Sequence, residues 1–322
     1  MTNTTLITGV TGFVGSHLLD RLADSDRDLY GVVRESSSLE YCRDHRADID
    51  LRTCNLVDGP AVFELLEDVA PDHIYHLAGQ SSVKSSWDST YSLINNNIVA
   101  TLNILEGVRQ AESIDPRVLL ACSSEQYGLV DADALPVTES MALNPVSPYA
   151  VSKSAVDMFG FQYYKSHGVK TIRTRAFNHT GPRRPDKYAL SDFAKQIVEI
   201  ENEMSDSNHI HVGNLSAVRD YTDVRDVVKA YELAMCECSS GEAYNICSMT
   251  GYTIRELLDR LIELSGEDIT VVQEDERIRP VDVPELVGDC AKFEAKTGWG
   301  PEYTIKETLG DLLQYWRREM DV

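Results

Sequence analysis

The sequence predicts an α/β fold: a doubly wound parallel sheet carrying a smaller, interleaved C-terminal region. Three observations predict it. Residues 5–22 read as strand, glycine-rich turn and helix in immediate succession. Short apolar runs then alternate with helical patterns as far as residue 176, the rhythm of βαβ units. From Phe177 onward Pro, Arg and His rise and strands become scarcer. The division is therefore placed at 1–176 and 177–322, with segments near 215–247 returning to the sheet. A chain of 322 residues, 43% of them hydrophobic, can bury such a core.

Thr5-Leu6-Ile7-Thr8 is a short buried strand. It runs into Gly9-Val10-Thr11-Gly12-Phe13-Val14-Gly15 and then a helical pattern over 16–22. Gly9 permits the tight turn. Gly12 lets backbone N–H groups approach a pyrophosphate at the helix N-terminus, and Gly15 lets helix and strand pack closely. This context makes the turn a dinucleotide site of the Rossmann type, with Thr11, Phe13 and Val14 inside it. Leu29-Tyr30-Gly31-Val32-Val33 is the second strand and ends at Arg34-Glu35-Ser36-Ser37-Ser38. An acid at that end bonds a ribose 2′-OH, whereas an Arg accommodates a 2′-phosphate. Arg34 favours NADP(H) over NAD(H); Glu35 beside it pulls the other way.

A third strand at 50–54 leads to Asn55-Leu56-Val57-Asp58, read as an adenine-edge contact, and a helix follows over 61–69. His73-Ile74-Tyr75-His76 is the fourth strand. Leu77-Ala78-Gly79 turns at its carboxyl edge, where cofactors lie. His73 and His76 are three apart, point to opposite faces, and are read as packing or capping groups. Residues 95–111 form a long helix with Leu102, Ile104, Leu105 and Val108 on its apolar face. Val118-Leu119-Leu120-Ala121-Cys122 is the fifth strand, with Ser123-Ser124-Glu125-Gln126-Tyr127-Gly128 at its end.

Ser147-Pro148-Tyr149-Ala150-Val151-Ser152-Lys153 carries the candidate chemistry. Ser147 suits an N-cap and Pro148 the first helical turn. The spacing puts Tyr149 and Lys153 on one helix face, one turn apart. An ammonium beside a phenol stabilises the phenolate, so the Tyr149 pKa is expected to fall from about 10 toward working pH. Such a phenol can exchange a proton with an alcohol or ketone oxygen. The helix continues to residue 164, and Thr171-Ile172-Arg173-Thr174 is a further strand. Residues 224–235 (helix) and Tyr244-Asn245-Ile246-Cys247 (strand) read as returns to the main sheet.

Net charge is −22, from 52 acidic against 30 basic residues. Nucleic acid and anionic membranes both require a cationic face and are excluded as partners. Arg outnumbers Lys 20 to 10, and low Lys with high Asp and Glu suggests a high-salt habitat. Arg183, Arg184, Lys187, Arg219 and Arg279 nevertheless concentrate in the C-terminal half. Arg bonds a diphosphate with two bonds at once, so these are expected to anchor a phosphorylated ligand. Seven cysteines include no C-x-x-C pair, and Cys236-Glu237-Cys238 lacks a second pair to complete a metal site, so no metal is expected. The cysteines read as buried apolar residues, which suits a reducing cytoplasm. No signal peptide and no run of about 18 apolar residues is visible, so a soluble cytoplasmic protein is expected.

Together these residues resemble the extended short-chain dehydrogenase/reductase family over essentially the whole chain. The matching pieces are Thr8-Gly9-x-x-Gly12-x-x-Gly15, His76-Leu77-Ala78, Asn97 with Thr101, Ser123-Ser124-Glu125, Tyr149-x-x-x-Lys153, and Arg219-Asp220-Tyr221 with Asp223-Val224. The resemblance implies Tyr149 as acid/base, Lys153 as the group that lowers its pKa and holds the nicotinamide ribose, and Ser123 as the clamp on the substrate oxygen. Within the family the chain looks most like the GDP-mannose 4,6-dehydratases and GDP-4-keto-6-deoxy-D-mannose reductases. That likeness implies a GDP-sugar site built from Ser81, Ser124, Asn178, Arg183, Arg184, Lys195, Arg219, Arg279 and Asp282.

The two reactions ask different things of Glu125. A dehydratase needs it to move the sugar C5 proton and the C6 hydroxyl; a reductase needs only hydride delivery to C4 and a proton from Tyr149. Phe13-Val14 in the first turn, Glu35, Gly79-Gln80-Ser81-Ser82-Val83, Ser191 to Ile197, Asp282-Val283-Pro284 and Asp311 to Trp316 resemble the reductase. Arg183-Arg184 resembles the dehydratase. The reductase, yielding GDP-D-rhamnose with NADPH, is the preferred expectation. The dehydratase is the alternative, with another nucleotide-sugar epimerase or dehydratase behind it. A non-catalytic NADP-binding module of this fold would typically have lost Tyr149 or Lys153. Family members commonly dimerise through the helices matching 95–111 and 149–166, which implies a homodimer or a tetramer.

Overall fold

The computed structural model describes residues 3–87, 89–205, 207–278 and 281–320, the side chains of residues 84 and 85 excepted. The first half supplies β1 (Asn3–Thr8), β2 (Arg27–Val33), β3 (Ile49–Thr53), β4 (His73–His76), β5 (Arg117–Ala121) and β6 (Lys170–Ala176). The second supplies β7 (Asn178–Thr180), β8 (His209–Val212), β9 (Val218–Asp223), β10 (Ala243–Ile246), β11 (Gly251–Thr253), β12 (Thr270–Gln273) and β13 (Glu285–Leu286). Seven strands form one sheet in the order β10-β6-β5-β4-β1-β2-β3, every pair parallel. Parallel sheets need both faces covered. That is why Leu6, Ile7, Ile74, Val118, Leu119 and Leu120 are all fully buried.

The cover is helical: α1 (Phe13–Ala23), α2 (Gly59–Val69), α3 (Ala100–Gln110), α4 (Pro148–His167), α5 (Ala189–Glu201), α6 (Val224–Glu237), α7 (Ile254–Ser265), α8 (Ala291–Thr297) and α9 (Ile305–Met320). Leu18 and Leu22 of α1, Val227 and Tyr231 of α6 and Phe293 of α8 share one core. Leu65 of α2, Ile104 of α3 and Val156 of α4 share another on the opposite face. A third core joins α5, α7 and α9 through Phe193, Leu257 and Leu312. Each such side chain contributes roughly 1.5–3 kcal/mol on burial. Strand order reverses between β1 and β4, so the carboxyl ends of β1, β4 and β5 open onto one crevice.

Three expectations need correction. Residues 95–111 are not a single α-helix. A helical turn at Thr90–Leu93 passes into a π-helical segment, Ile94–Val99, before α3 begins, and Leu102 is only partly buried. Strands are not scarcer after Phe177; seven follow, but each has two to six residues, too few for an alternating pattern to stand out. Within 215–247, β9 pairs with β7, β11 and β13 in a separate sheet, and only α6 and β10 rejoin the main body. The main body also reclaims α8, whose Phe293 packs on Tyr244 and Trp299. No helix among the described residues is long and apolar enough to cross a membrane.

Candidate active site

The glycine turn is the first part of the site. Gly9 has φ +72°, and a Cβ there would lie 2.8 Å from the Ala78 nitrogen. A Cβ on Gly15 would lie 2.1 Å from the Gly9 carbonyl oxygen. Gly12 is the N-cap of α1 and offers no side chain to the first N–H groups of that helix. Those donors and the positive end of the helix dipole are left for an anion. They face a groove of about 230 Å³ lined by Gly9, Thr11 and Gly12 at one wall and Leu77, Ala78 and Gly79 at another. Asn55, Leu56 and Arg34 line its far end. Arg34 is exposed, its N–H donates to Ser37 Oγ (3.0 Å), and Ser37 lines the same groove. A cation and a hydroxyl at the end of β2 fit a 2′-phosphate, and the uncapped helix fits a pyrophosphate.

Phe13, Val14 and Gly15 lie in the first turn of α1, but no side chain of theirs lines that groove. Val14 packs on the core. The Phe13 ring stacks on His179, 6.0 Å between centroids and 6° from parallel, and the Arg184 guanidinium sits 4.9 Å above it. What these residues can offer a cofactor is backbone.

Ser147 Oγ accepts from Ala150 N (3.1 Å) and Pro148 fills the first position of α4, so the helix begins one residue before Tyr149. Tyr149 and Lys153 are both 8% exposed. The expected Lys153 effect on Tyr149 is not what the structure shows. The Lys153 ammonium donates to the Ala121 carbonyl at the end of β5 (2.7 Å). Burial pushes the Tyr149 phenol well above its ordinary pKa, and a hydrogen bond from Ser123 opposes that rise. Desolvation costs the phenolate more than the bond returns, so the group is held protonated. Lys153 is itself shifted down by burial.

Ser123 leaves β5 and caps the short 3-10 turn Ser124–Tyr127, its Oγ accepting from Glu125 N (3.2 Å). Ser123, Ser124, Glu125 and Tyr149 line a second cavity of about 150 Å³, shared with Ser81 and Asn178. Glu125 is half-buried there, and its charge adds to the upward push on Tyr149. Arg184 also lines this cavity. It is stacked 3.6 Å above the Tyr188 ring, with its pKa shifted down by burial, and no carboxylate pairs with it among the described residues.

Of the other expected anchors, Arg183, Lys195, Arg219 and Asp282 are not brought to this cavity. Arg183, at φ +68°, pairs with Asp20 (2.8 Å) and covers the Tyr41 ring. Lys195 pairs with Asp186 (2.7 Å). Arg219 and Asp282 are bonded to each other (2.8 Å). Arg279 lies outside the described residues. In so acidic a chain, a nearby carboxylate claims each of Arg183, Lys195 and Arg219.

The structure adds Tyr188, which the sequence reading left out of the site. Tyr188 Oη meets Ser81 Oγ at 2.5 Å across the cavity, and Lys187, one of the expected anchors, and Tyr221 of the Arg219-Asp220-Tyr221 motif also line it. His179 is held neutral by burial, with a pKa near 4. Asn97, in the π-helical segment, accepts from Gln80 N (2.7 Å) and donates to Ser152 Oγ (2.9 Å), tying the Gly79 loop to α4. The resemblance singles out Asn97 with Thr101 without giving Asn97 a role in the site.

A family model described as GDP-mannose 4,6 dehydratase matches residues 6–312. The chain is 31% identical to the GDP-6-deoxy-D-mannose reductase of Pseudomonas aeruginosa over 98% of both chains. It is 29% identical to the GDP-mannose 4,6-dehydratase of Yersinia enterocolitica over 96% of this chain and 92% of that one. Among solved structures, RMD from P. aeruginosa complexed with NADPH superposes with a TM-score of 0.85 at 29% identity, covering 99% of this chain and all of the other. The UDP-glucose 4-epimerase of Thermotoga maritima, solved with UDP-glucose, superposes at 0.89 with 26% identity and the same coverage.

Proposed function

The chain belongs to the GDP-mannose 4,6-dehydratase family, NAD(P)-dependent nucleotide-sugar enzymes of the extended short-chain dehydrogenase/reductase type, and from that premise we propose that it reduces the C4 ketone of GDP-4-keto-6-deoxy-D-mannose to GDP-D-rhamnose. The observation that carries this reading is the buried Tyr149 phenol bonded to Ser123 at the wall of the cavity that Glu125 and Arg184 also line. A ketone reduction needs a proton donor at that point, and a phenol held protonated is one. The identity to the P. aeruginosa reductase over nearly the whole of both chains supports it.

NADPH in the glycine-turn groove would supply the hydride. Ser123 and Tyr149 hold the C4 oxygen, Tyr149 releases its proton there, and the Ser123 hydroxyl steadies the phenolate that remains. Arg184 sits where the cavity meets the glycine turn and would hold a phosphate. Arg34 and Ser37 support NADP(H) over NAD(H). The exposed apolar side chains Val151, Met158 and Phe161 of α4 support a homodimer, and the acidity supports a high-salt habitat.

Glu125 favours a second reading, GDP-mannose 4,6-dehydration with NADP recycled, because its carboxylate lines the same cavity. One pair of incubations separates them: GDP-mannose with NADP⁺, and the 4-keto-6-deoxy sugar nucleotide with NADPH. Stoichiometric NADPH consumption in the second is the expected result. Dehydration in the first, without net change in cofactor, would replace the reductase by the dehydratase.

A further inference from the structure

We propose that Gln126 is a positioning residue for Ser123, tying the Ser123–Glu125 turn to a buried ionic cluster behind it. The proposal rests on the reading of Ser123 as the clamp on the substrate oxygen. Gln126 is fully buried. Its Oε1 accepts from the Ser123 backbone N–H (3.2 Å), and its Nε2 donates to Asp157 Oδ2 (3.1 Å). Asp157 also accepts from Arg173 Nη1 (2.5 Å), Arg175 Nε (2.8 Å) and Arg175 Nη2 (3.2 Å). A carboxylate on one side and an N–H on the other allow the amide only one orientation.

The need for this link follows from where β5 ends. Cys122 N still bonds the Thr174 carbonyl across the sheet (2.9 Å), but Ser123 N has left the ladder. A buried N–H without a partner is costly, and Gln126 supplies the acceptor. The same turn places the Ser123 hydroxyl. Glu125 N–H donates to Ser123 Oγ, which leaves the hydroxyl hydrogen for the Tyr149 oxygen. A leucine would fill the Gln126 volume equally well. It would leave the Ser123 N–H unpaired, since Asp157 Oδ2 keeps its bond from Arg175 Nε, and the turn free to rotate. The amide at this position therefore orients the clamp.

The test compares Gln126→Leu and Gln126→Glu with wild type and with Tyr149→Phe, on whichever substrate and cofactor pair the wild type turns over. Gln126→Leu is expected to lower kcat about 10²-fold, the effect of a small misplacement, with NADPH affinity unchanged by fluorescence titration. Amide exchange in the peptide covering 122–127 should accelerate, a readout that needs no substrate. Gln126→Glu sets a carboxylate against Asp157, so it should share the loss at pH 8 and recover relative to wild type as the pH falls and the new acid can donate. Wild-type kcat with unchanged protection of 122–127 in both variants overturns the proposal. So does an equal loss of NADPH affinity, which would make Gln126 merely structural. A Tyr149→Phe variant at full rate would instead overturn the reading of the site, while the exchange data would still decide what Gln126 holds.

Discussion

His76 lies between Thr8 and Thr101, one ring nitrogen 2.9 Å from the first hydroxyl and the other 3.0 Å from the second. Burial, aided by the nearby Lys153 charge, lowers its pKa from 6.5 to about 3. The folded chain therefore stays neutral at His76 while the unfolded chain takes up a proton below pH 6.5. Stability from this group is complete above 6.5 and is lost as pH falls toward 3. Unfolding in urea at pH 7.5 and 5.5 should show wild type losing about 1.4 kcal/mol more than His76→Gln over that interval. Equal losses in the two proteins would refute the neutral buried imidazole. The reading of His76 as a packing group rested on strand geometry, which sequence displays. The state of Tyr149 did not follow in the same way. Its spacing from Lys153 was visible, but the Ala121 carbonyl that draws the ammonium away comes from 32 residues upstream. The arginines fail for a related reason: Asp20 for Arg183 and Asp282 for Arg219 are matched only after folding.

At the scale of elements, the glycine turn was the most legible part because its logic is local. Steric need for a missing Cβ shows directly as glycine, and Gly9 and Gly15 meet within one turn. Gly15→Ala should therefore act on cofactor binding more than on folding. The added methyl group would drive α1 off the Gly9 carbonyl and displace the N–H groups that face the groove. Overpacking of this kind costs roughly 1–3 kcal/mol, so NADPH affinity should fall about 10- to 100-fold, with far-UV circular dichroism unchanged. Unaltered NADPH affinity in this variant would remove the turn from the cofactor site. The π-helical segment Ile94–Val99 was not legible. Asn97 within it reaches Gln80 and Ser152, contacts made across 17 and 55 residues that no local pattern displays. The second and third sheets were hidden similarly, because two- to six-residue strands derive their pairing from partners such as β9, not from their own pattern.

For the whole molecule, the parallel body was legible because long buried strands leave continuous apolar runs, whereas the interleaving of α6, β10 and α8 is a matter of chain path. Two further properties belong at this scale, and they act on each other. Val151, Met158 and Phe161 stand 52, 59 and 44% exposed on α4, spaced seven and three residues apart as one stripe. Tyr91 and Ile94, on the helical turns beside it, are 87 and 39% exposed. Such a patch fits a second copy of the chain packed across α4. Bringing two chains of net charge −22 together is opposed by their mutual repulsion. Salt shortens the range of that repulsion to about 10 Å at 0.1 M and about 3 Å at 1 M, while leaving apolar burial intact. Light scattering after size exclusion should therefore give a dimer mass whose share rises with KCl, and the Tm should rise with it. Met158→Glu with Phe161→Glu should give a monomer at every salt concentration, because carboxylates in the stripe cannot be desolvated without partners. A wild-type monomer at high KCl would remove the stripe as an interface. A Tm that fell with added KCl would show that the surface charge is not adapted to salt.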